Sequence, residues 1–273
     1  MSLDKTDLTV SLVLYEHSPD DIAGLISDIR TIPLNTKLYI IDNSPEPLDL
    51  SVFESDKTEI IQDCKNLGYG KGHNVGIFKA SEISSDFHLI VNPDIRFNGA
   101  DIPLLIDFIN KGENYGLVIP KVHYENGDFQ YIYKLLPDPF VMTLRFLHRF
   151  LPDSFIKANN DSYEMRHKDF SNPFELPVVS GCFMFGRTKI FNEVDGFDDR
   201  FFMYFEDVDL SRRIGVKYRN MYYPDISVTH GFQKDSYKSK TLRNAHLLSA
   251  FKYFNKWGWF LDNYRREKNR SCR

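Results

Sequence analysis

Apolar runs and polar breaks alternate along the first 120 residues in a strand–helix rhythm. Residues 8–15, 37–42, 59–62, 87–91 and 116–120 are short apolar runs of strand length. Between the first two, Asp20 and Asp21 suit the first turn of a helix whose apolar face is Leu25, Ile26 and Ile29. A second helix is expected from about Asn74, after a glycine-rich loop. A third should follow Asp101 as N-cap, carrying Leu104, Leu105, Phe108 and Ile109. Strands alternating with helices predict an α/β fold with a mostly parallel, Rossmann-like central sheet flanked by helices.

The rhythm changes after Pro120. Asn126-Gly127 lies between residues 122–124 and 129–131, a hairpin signal because both turn residues tolerate positive φ. Residues 137–152 carry Phe140, Val141, Leu144, Leu147 and Leu151 at helical spacing, with Arg145, His148 and Arg149 off that face. Residues 159–173 are polar and read as an irregular loop. Strand character returns over 178–185, and a helix is expected over 188–194. These hairpin and helical pieces read as additions to a catalytic domain spanning residues 1–235.

Composition and charge narrow the class. With 273 residues, 42% of them hydrophobic, the chain can bury a full core. Cys64, Cys182 and Cys272 are odd in number and lack metal-like spacing, which points to a reducing compartment. No secretory leader opens the chain and no uncharged run of membrane-spanning length occurs, so a cytoplasmic protein is expected. The net charge of −4 hides an asymmetry: residues 238–273 carry ten Lys/Arg against Asp262 and Glu267. Residues 236–273 thus read as a basic, aromatic helical tail on an acidic body. Such a tail either makes a peripheral contact with anionic membrane, on the inner face of the cytoplasmic membrane, or packs on the domain as a solvated surface helix.

Five segments carry candidate chemistry. The run 87–91 ends in Asn92-Pro93-Asp94, a polar turn where an open α/β sheet binds its ligands. A carboxylate there can hold a divalent cation, although a lone Asp after a strand is more often a turn residue. The first strand ends at Tyr15 and the second at Asp42-Asn43-Ser44. Asn66-Leu67-Gly68-Tyr69-Gly70-Lys71-Gly72-His73-Asn74 places glycines at alternate positions, with neither Walker A nor dinucleotide spacing. Finally, Ser180-Gly181-Cys182 precedes Glu206-Asp207-Val208-Asp209, whose three carboxylates repel unless a cation or helix N-terminus compensates.

In that order, over residues 8–230, these segments resemble the family 2 glycosyltransferases of the GT-A fold, especially their rhamnosyltransferase-like branch. The resemblance implies metal-dependent, inverting hexosyl transfer from a nucleotide-diphosphate sugar. It implies that Tyr15 and Asp42 meet the base, Asp42 accepting from a uracil or thymine imide N–H. Asn66, Gly68, Gly72 and Asn74 would line the nucleoside and diphosphate pocket together with Asn92 and Asp94. Asp94 would bind the metal, Mg²⁺ or Mn²⁺, with His230 as a further ligand. Asn92 stands where the family has a first aspartate, offering a carbonyl oxygen without charge. His73 departs from the asparagine common at its position. Asp207 would be the catalytic base, with Glu206 and Asp209 orienting the acceptor and Gly181 leaving room for a sugar.

Transfer by that route needs one base and no covalent sugar–enzyme intermediate. The branch favours dTDP-L-rhamnose, though a UDP or another dTDP sugar is open. The acceptor implied is a cell-surface glycan or a polyprenyl-diphosphate-linked oligosaccharide. Two alternatives are a nucleotidyltransferase, which would place a basic glycine loop after the first strand rather than Tyr15-Glu16-His17-Ser18-Pro19, and a non-catalytic nucleotide-sugar-binding protein. Nucleic acid is not an expected partner.

Overall fold

The computed structural model describes residues 6–62, 65–146, 152–231 and 240–273. Cys64 and residues 147–151, read above as part of a helix, lie outside the described residues, as do residues 236–239 of the basic tail. Strand β1 (Leu8–Leu14) is buried at six of its seven positions and lies between β2 (Thr36–Asp42) and β4 (Phe87–Val91), parallel to both. Strand β3 (Thr58–Gln62) extends the parallel set beyond β2. Helix α1 (Pro19–Arg30) makes the first crossover. Ser18 caps it with Asp21 in a reciprocal box, and Ile22, Leu25, Ile26 and Ile29 form its buried face.

Helix α2 starts earlier than the glycine spacing predicts, spanning Tyr69–Glu82, so Gly70 and Gly72 lie within it and not in a loop. The glycines bring the helix close to β1. A Cβ on Gly72 would stand 2.8 Å from Val13 Cγ2, and one on Gly76 only 2.4 Å from Ser11 Cβ. Beneath this contact runs a buried polar chain. Thr9 Oγ1 donates to the Phe87 carbonyl (3.2 Å) and accepts from His88 Nδ1 (2.8 Å). Ser11 Oγ then donates to His88 Nε2 (3.0 Å) and accepts from His73 Nδ1 (2.8 Å). Burial lowers the pKa of both histidines, His88 to about 3, so both are neutral.

After β4 come β5 (Ile95–Phe97), too short to stand out in the sequence, α3 (Ile102–Lys111) and β6 (Tyr115–His123). Asp101 precedes α3 without capping it, and its carboxylate accepts from Asn98 instead. The hairpin turn is present: Gln130 N–H donates to Val122 O, and His123 bridges Phe129. Helices α4 (Pro139–Phe146) and α5 (Asp153–Tyr163) follow, so the polar stretch expected to be irregular begins as helix. Tyr163 and Met165 anchor it in the core. Strand β7 (Phe174–Glu175) precedes β8 (Phe183–Arg187), which is shorter than expected because residues 180–182 turn out of the sheet. Helices α6 (Thr188–Glu193) and α7 (Glu206–Gly215) lead to the long β9 (Arg219–His230).

The sheet order is β3-β2-β1-β4-β8-β6-β9-β5, with β7 also on β9. It is mixed rather than mostly parallel. Strand β8 runs antiparallel to β4 and β6, and β5 and β7 run antiparallel to β9. The chain re-enters the sheet at β8 from the edge where β4 leaves it, and this sets two antiparallel pairs side by side.

Helices α8 (Lys240–Trp257) and α9 (Asn263–Ser271) fold back on α7. Tyr253 and Phe254 form a second apolar cluster with Met142, Phe201 and Phe205. Arg212 donates two hydrogen bonds to Asp262 (2.6 and 2.8 Å) in a nearly solvent-free pair, with Trp257 and Tyr264 rings against the guanidinium. No helix among the described residues is long and apolar enough to cross a membrane.

Candidate functional site

Register brings the strand ends together. Asp42 pairs with Leu14, one residue before Tyr15, and Val91 pairs with Leu12 on β1 and Phe183 on β8. Asn92 N–H donates to the Cys182 carbonyl (3.0 Å), so the Asn92-Pro93-Asp94 turn and the Gly181-Cys182 turn share one edge of the sheet. Asn92 Oδ1 is buried there without a hydrogen-bond partner.

Strand β5 sets Ile95 opposite His230, which delivers His230 to Asp94. Gly231 N–H donates to Asp94 O (2.9 Å), and His230 Nε2 stands 3.4 Å from Asp94 Oδ1. His230 Nδ1 donates to Gln130 Oε1 (2.8 Å). That bond orients the ring with Nε2 toward the carboxylate, an arrangement that suits joint ligation of a cation by the two. A carboxylate oxygen, an imidazole nitrogen and the orphaned Asn92 carbonyl make a donor set suited to Mn²⁺ or Mg²⁺. The described residues contain no group of three or more His, Cys, Asp or Glu side chains converging on one metal position. A bound ion would therefore need further oxygen ligands from elsewhere.

Asp207 opens α7. Its Oδ2 accepts from Gly181 N–H (3.1 Å) and its Oδ1 from Val208 N–H (2.8 Å). Burial raises its pKa above the ordinary carboxylate range, against the opposing pull of Lys134 and those N–H groups. Burial and the Asp207 charge push Glu206 well above its ordinary value, which favours its neutral form, and its Oε2 is buried without a partner. Just upstream, Tyr204 and Phe205 both adopt left-handed backbone, φ 68° and 66°. Each such non-glycine residue costs about 1–3 kcal/mol unless packing holds it. Here the Phe205 ring packs on Tyr253 and Phe254 of α8, so the C-terminal helix supports the turn that aims Glu206 and Asp207.

Tyr69 joins these parts. Its hydroxyl donates to Gly181 O (2.5 Å), and burial together with the nearby Glu206, Cys182, Asp207 and Asp94 raises its pKa. The phenol thus stands among both candidate acidic groups. Tyr69, Gln130 and Lys134 are site neighbours that sequence reasoning missed. The sole signal was Tyr69's place in the glycine segment, since the other two depend on the fold.

Other expected residues fall differently. Tyr15 is exposed at the strand edge. Asp42 is buried, and its carboxylate accepts from Ser44 N–H, Leu48 N–H and Gln62 Nε2, bonds that outweigh burial and lower its pKa. Its carboxylate is engaged in shaping that turn. Asn66 caps Gly68 N–H, and Gly68 takes φ 81° below the Phe202 carbonyl. Gly72 packs on Val13, and Asn74 clamps Phe197 through both its N–H and carbonyl. Neither lines an open pocket, because the glycine segment is helix packed on the sheet. The space at Gly181 is filled by the Tyr69 ring, 3.2 Å from where a Cβ would sit. Asp209 does not face an acceptor: it is fully buried and held by Arg213 (2.7 Å), Lys256 (2.6 Å) and Trp257 Nε1 (2.7 Å).

No protein-family model matches the chain. An N-acetylglucosaminyl-diphospho-decaprenol L-rhamnosyltransferase of Mycobacterium tuberculosis is 29% identical over 176 residues, 60% of this chain and 56% of the relative. The match therefore spans little more than half of that relative's length. The rhamnosyltransferase WbbL of Escherichia coli is 25% identical over 252 residues, 89% of this chain and 92% of the relative. Among solved structures, the mannosyltransferase PcManGT of Pyrobaculum calidifontis, in complex with GDP-Man and Mn²⁺, superposes with a TM-score of 0.61 at 13% identity. It covers 93% of this chain and 65% of that one. By its sequence relatives the chain is similar to rhamnosyltransferases of the family 2 glycosyltransferases, and its fold is the GT-A fold of the solved glycosyltransferases.

Proposed function

We propose that the protein is an inverting glycosyltransferase that moves a sugar from a nucleotide-diphosphate donor to a hydroxyl of a glycan or polyprenyl-diphosphate-linked acceptor. The observation that carries this reading is that one turn joins both candidate segments: Gly181 N–H donates to Asp207, Gly181 O accepts from the Tyr69 hydroxyl, and Cys182 O accepts from Asn92 N–H beside Asp94. The names of the mycobacterial and E. coli relatives support L-rhamnose as the sugar, and with it dTDP-L-rhamnose as the donor.

In this mechanism Asp207 takes the proton of the acceptor hydroxyl as that oxygen attacks the anomeric carbon from the face opposite the diphosphate. Burial, which raises its pKa, makes it a stronger base than an exposed aspartate. Gly181 N–H fixes one carboxylate oxygen and Val208 N–H the other, which orients the basic lone pairs. Protonated Glu206 can donate to an acceptor oxygen. Asp94 and His230 would hold a divalent cation, with Gln130 orienting the imidazole ring. Bound there, a divalent cation would supply positive charge to the departing diphosphate.

Released nucleoside diphosphate, measured across dTDP- and UDP-sugars with and without Mn²⁺ or Mg²⁺, tests the reading. Metal-dependent release from dTDP-L-rhamnose in the presence of a glycan acceptor is expected. Consumption of added pyrophosphate, giving the nucleoside triphosphate and a sugar 1-phosphate in place of nucleoside diphosphate, would make the protein a nucleotidyltransferase.

A further inference from the structure

Of fourteen exposed large hydrophobic side chains among the described residues, six fall between residues 247 and 261. Leu247, Leu248 and Phe251 form an exposed stripe of α8, while Ala250, Tyr253 and Phe254 are buried in the second apolar cluster. Gly258, at φ 99°, then turns the chain so that Trp259, Phe260 and Leu261 project beyond the helix end, Phe260 and Leu261 being 73% and 87% exposed. Phe251 and Trp259 rings lie 5.8 Å apart, making one continuous apolar surface, and the Arg266 guanidinium is bound to the Phe260 carbonyl (2.8 Å). Elsewhere exposed hydrophobics such as Val52, Phe78 and Val216 are scattered, which is ordinary.

Charge completes the picture. Lys252 follows Leu248 by one helical turn and lines a cleft of about 560 Å³ with Lys65, Lys71 and Arg200, opposed in the lining by Asp199 alone. Of these, Lys71 lies 3.7 Å from Asp199 and Arg200 is paired with Asp198. A cationic hollow is thus set beside an aromatic, aliphatic ridge on a protein of net charge −4. Rings and aliphatics at headgroup depth with Lys/Arg alongside suit an interface of anionic lipid.

We propose that the α8–α9 corner, with the cationic cleft beside it, is the surface on which this protein lies against an anionic bilayer. The tail serves two roles at once. Its inward face braces the Phe205 turn while its outward face meets lipid. The inference does not depend on which sugar is transferred, and its test does not use activity.

Full-length protein would be floated with vesicles of phosphatidylcholine containing about one third phosphatidylglycerol, and with phosphatidylcholine alone. Binding to the anionic vesicles is expected, declining with salt. Phe260→Ser/Leu261→Ser, at exposed tips, should weaken it at least tenfold with an unchanged melting temperature. Lys65→Gln/Lys252→Gln should flatten the salt dependence. No binding by the wild type, equal binding to neutral vesicles, or equal binding by Phe260→Ser/Leu261→Ser would overturn the proposal. So would a dimer in sedimentation that this variant dissolves, because a second copy would then cover the corner.

Discussion

His230 Nε2 faces Asp94 Oδ1 at 3.4 Å, although the two residues come from opposite ends of the catalytic sequence. Three ladder pairs between β5 and β9 create that proximity, and the Gln130 bond to Nδ1 orients the ring with Nε2 toward Asp94. If the pair holds a cation, Asp94→Ala should abolish metal-dependent binding of dTDP or UDP in calorimetric titration. Gln130→Leu, which touches no metal ligand but His230, should weaken metal affinity by about 10–100-fold. Metal-dependent affinity unchanged in Asp94→Ala would make that residue a turn former.

Stability should fall on the acid side before ordinary carboxylates titrate. His73 and His88 are buried and neutral, with pKa values below the ordinary 6.5 and His88 near 3. Unfolding lets each take up a proton, so their contribution is full above about pH 6.5 and declines as pH falls from there towards 3. The slope is about 1.4 kcal/mol per pH unit for each histidine. Denaturant midpoints measured from pH 7.5 to 5 should drop, and His88→Gln should drop less steeply. A flat profile in the wild type would rule the effect out.

The Arg212–Asp262 pair ties α9 to α7 out of water. Asp262→Ala leaves a buried guanidinium unpaired and should cost about 3–5 kcal/mol. Chemical denaturation would show it as a lower midpoint, accompanied by loss of activity as the α8 support for Phe205 loosens. A loss below about 1 kcal/mol, the worth of an exposed pair, would mean that the contact is open to solvent.

Much of this arrangement is legible in the sequence, and the failures share a cause. Strands β1 to β4 and helix α1 stand out because each buries a periodic apolar set, and the Asn92-Pro93-Asp94 turn follows directly from where β4 ends. The glycines of α2 misled because glycine signals both loops and close helix–sheet approach. Their partners, Val13 and Ser11, are visible only once the helix is in place. Asp209 reads like its neighbours Glu206 and Asp207. Yet helical spacing turns it inward to Arg213, and Lys256 and Trp257 arrive from a distant helix. Gln130 and Lys134 carry no local signal at all. The tail posed a choice between packing and membrane contact, and its two faces separate those possibilities.

Gly76→Ala tests the reinterpretation of the glycine segment. Its new Cβ would meet Ser11 at 2.4 Å, pushing α2 off β1 and straining the Ser11–His73 bond. Overpacking of this kind costs about 1–3 kcal/mol. Thermal unfolding of the variant should reveal the loss, whereas equal or greater stability, as in a simple gain of helix propensity, would contradict close packing here.

The proposed transfer rests on Asp207 as its base. The direct measurement is turnover together with donor affinity for Asp207→Asn, which keeps an acceptor oxygen for Gly181 N–H but no proton-accepting charge. Turnover should fall by about 10²–10⁴-fold, with donor affinity little changed. Turnover within about tenfold of the wild type, well short of what loss of a general base removes, would contradict the claim.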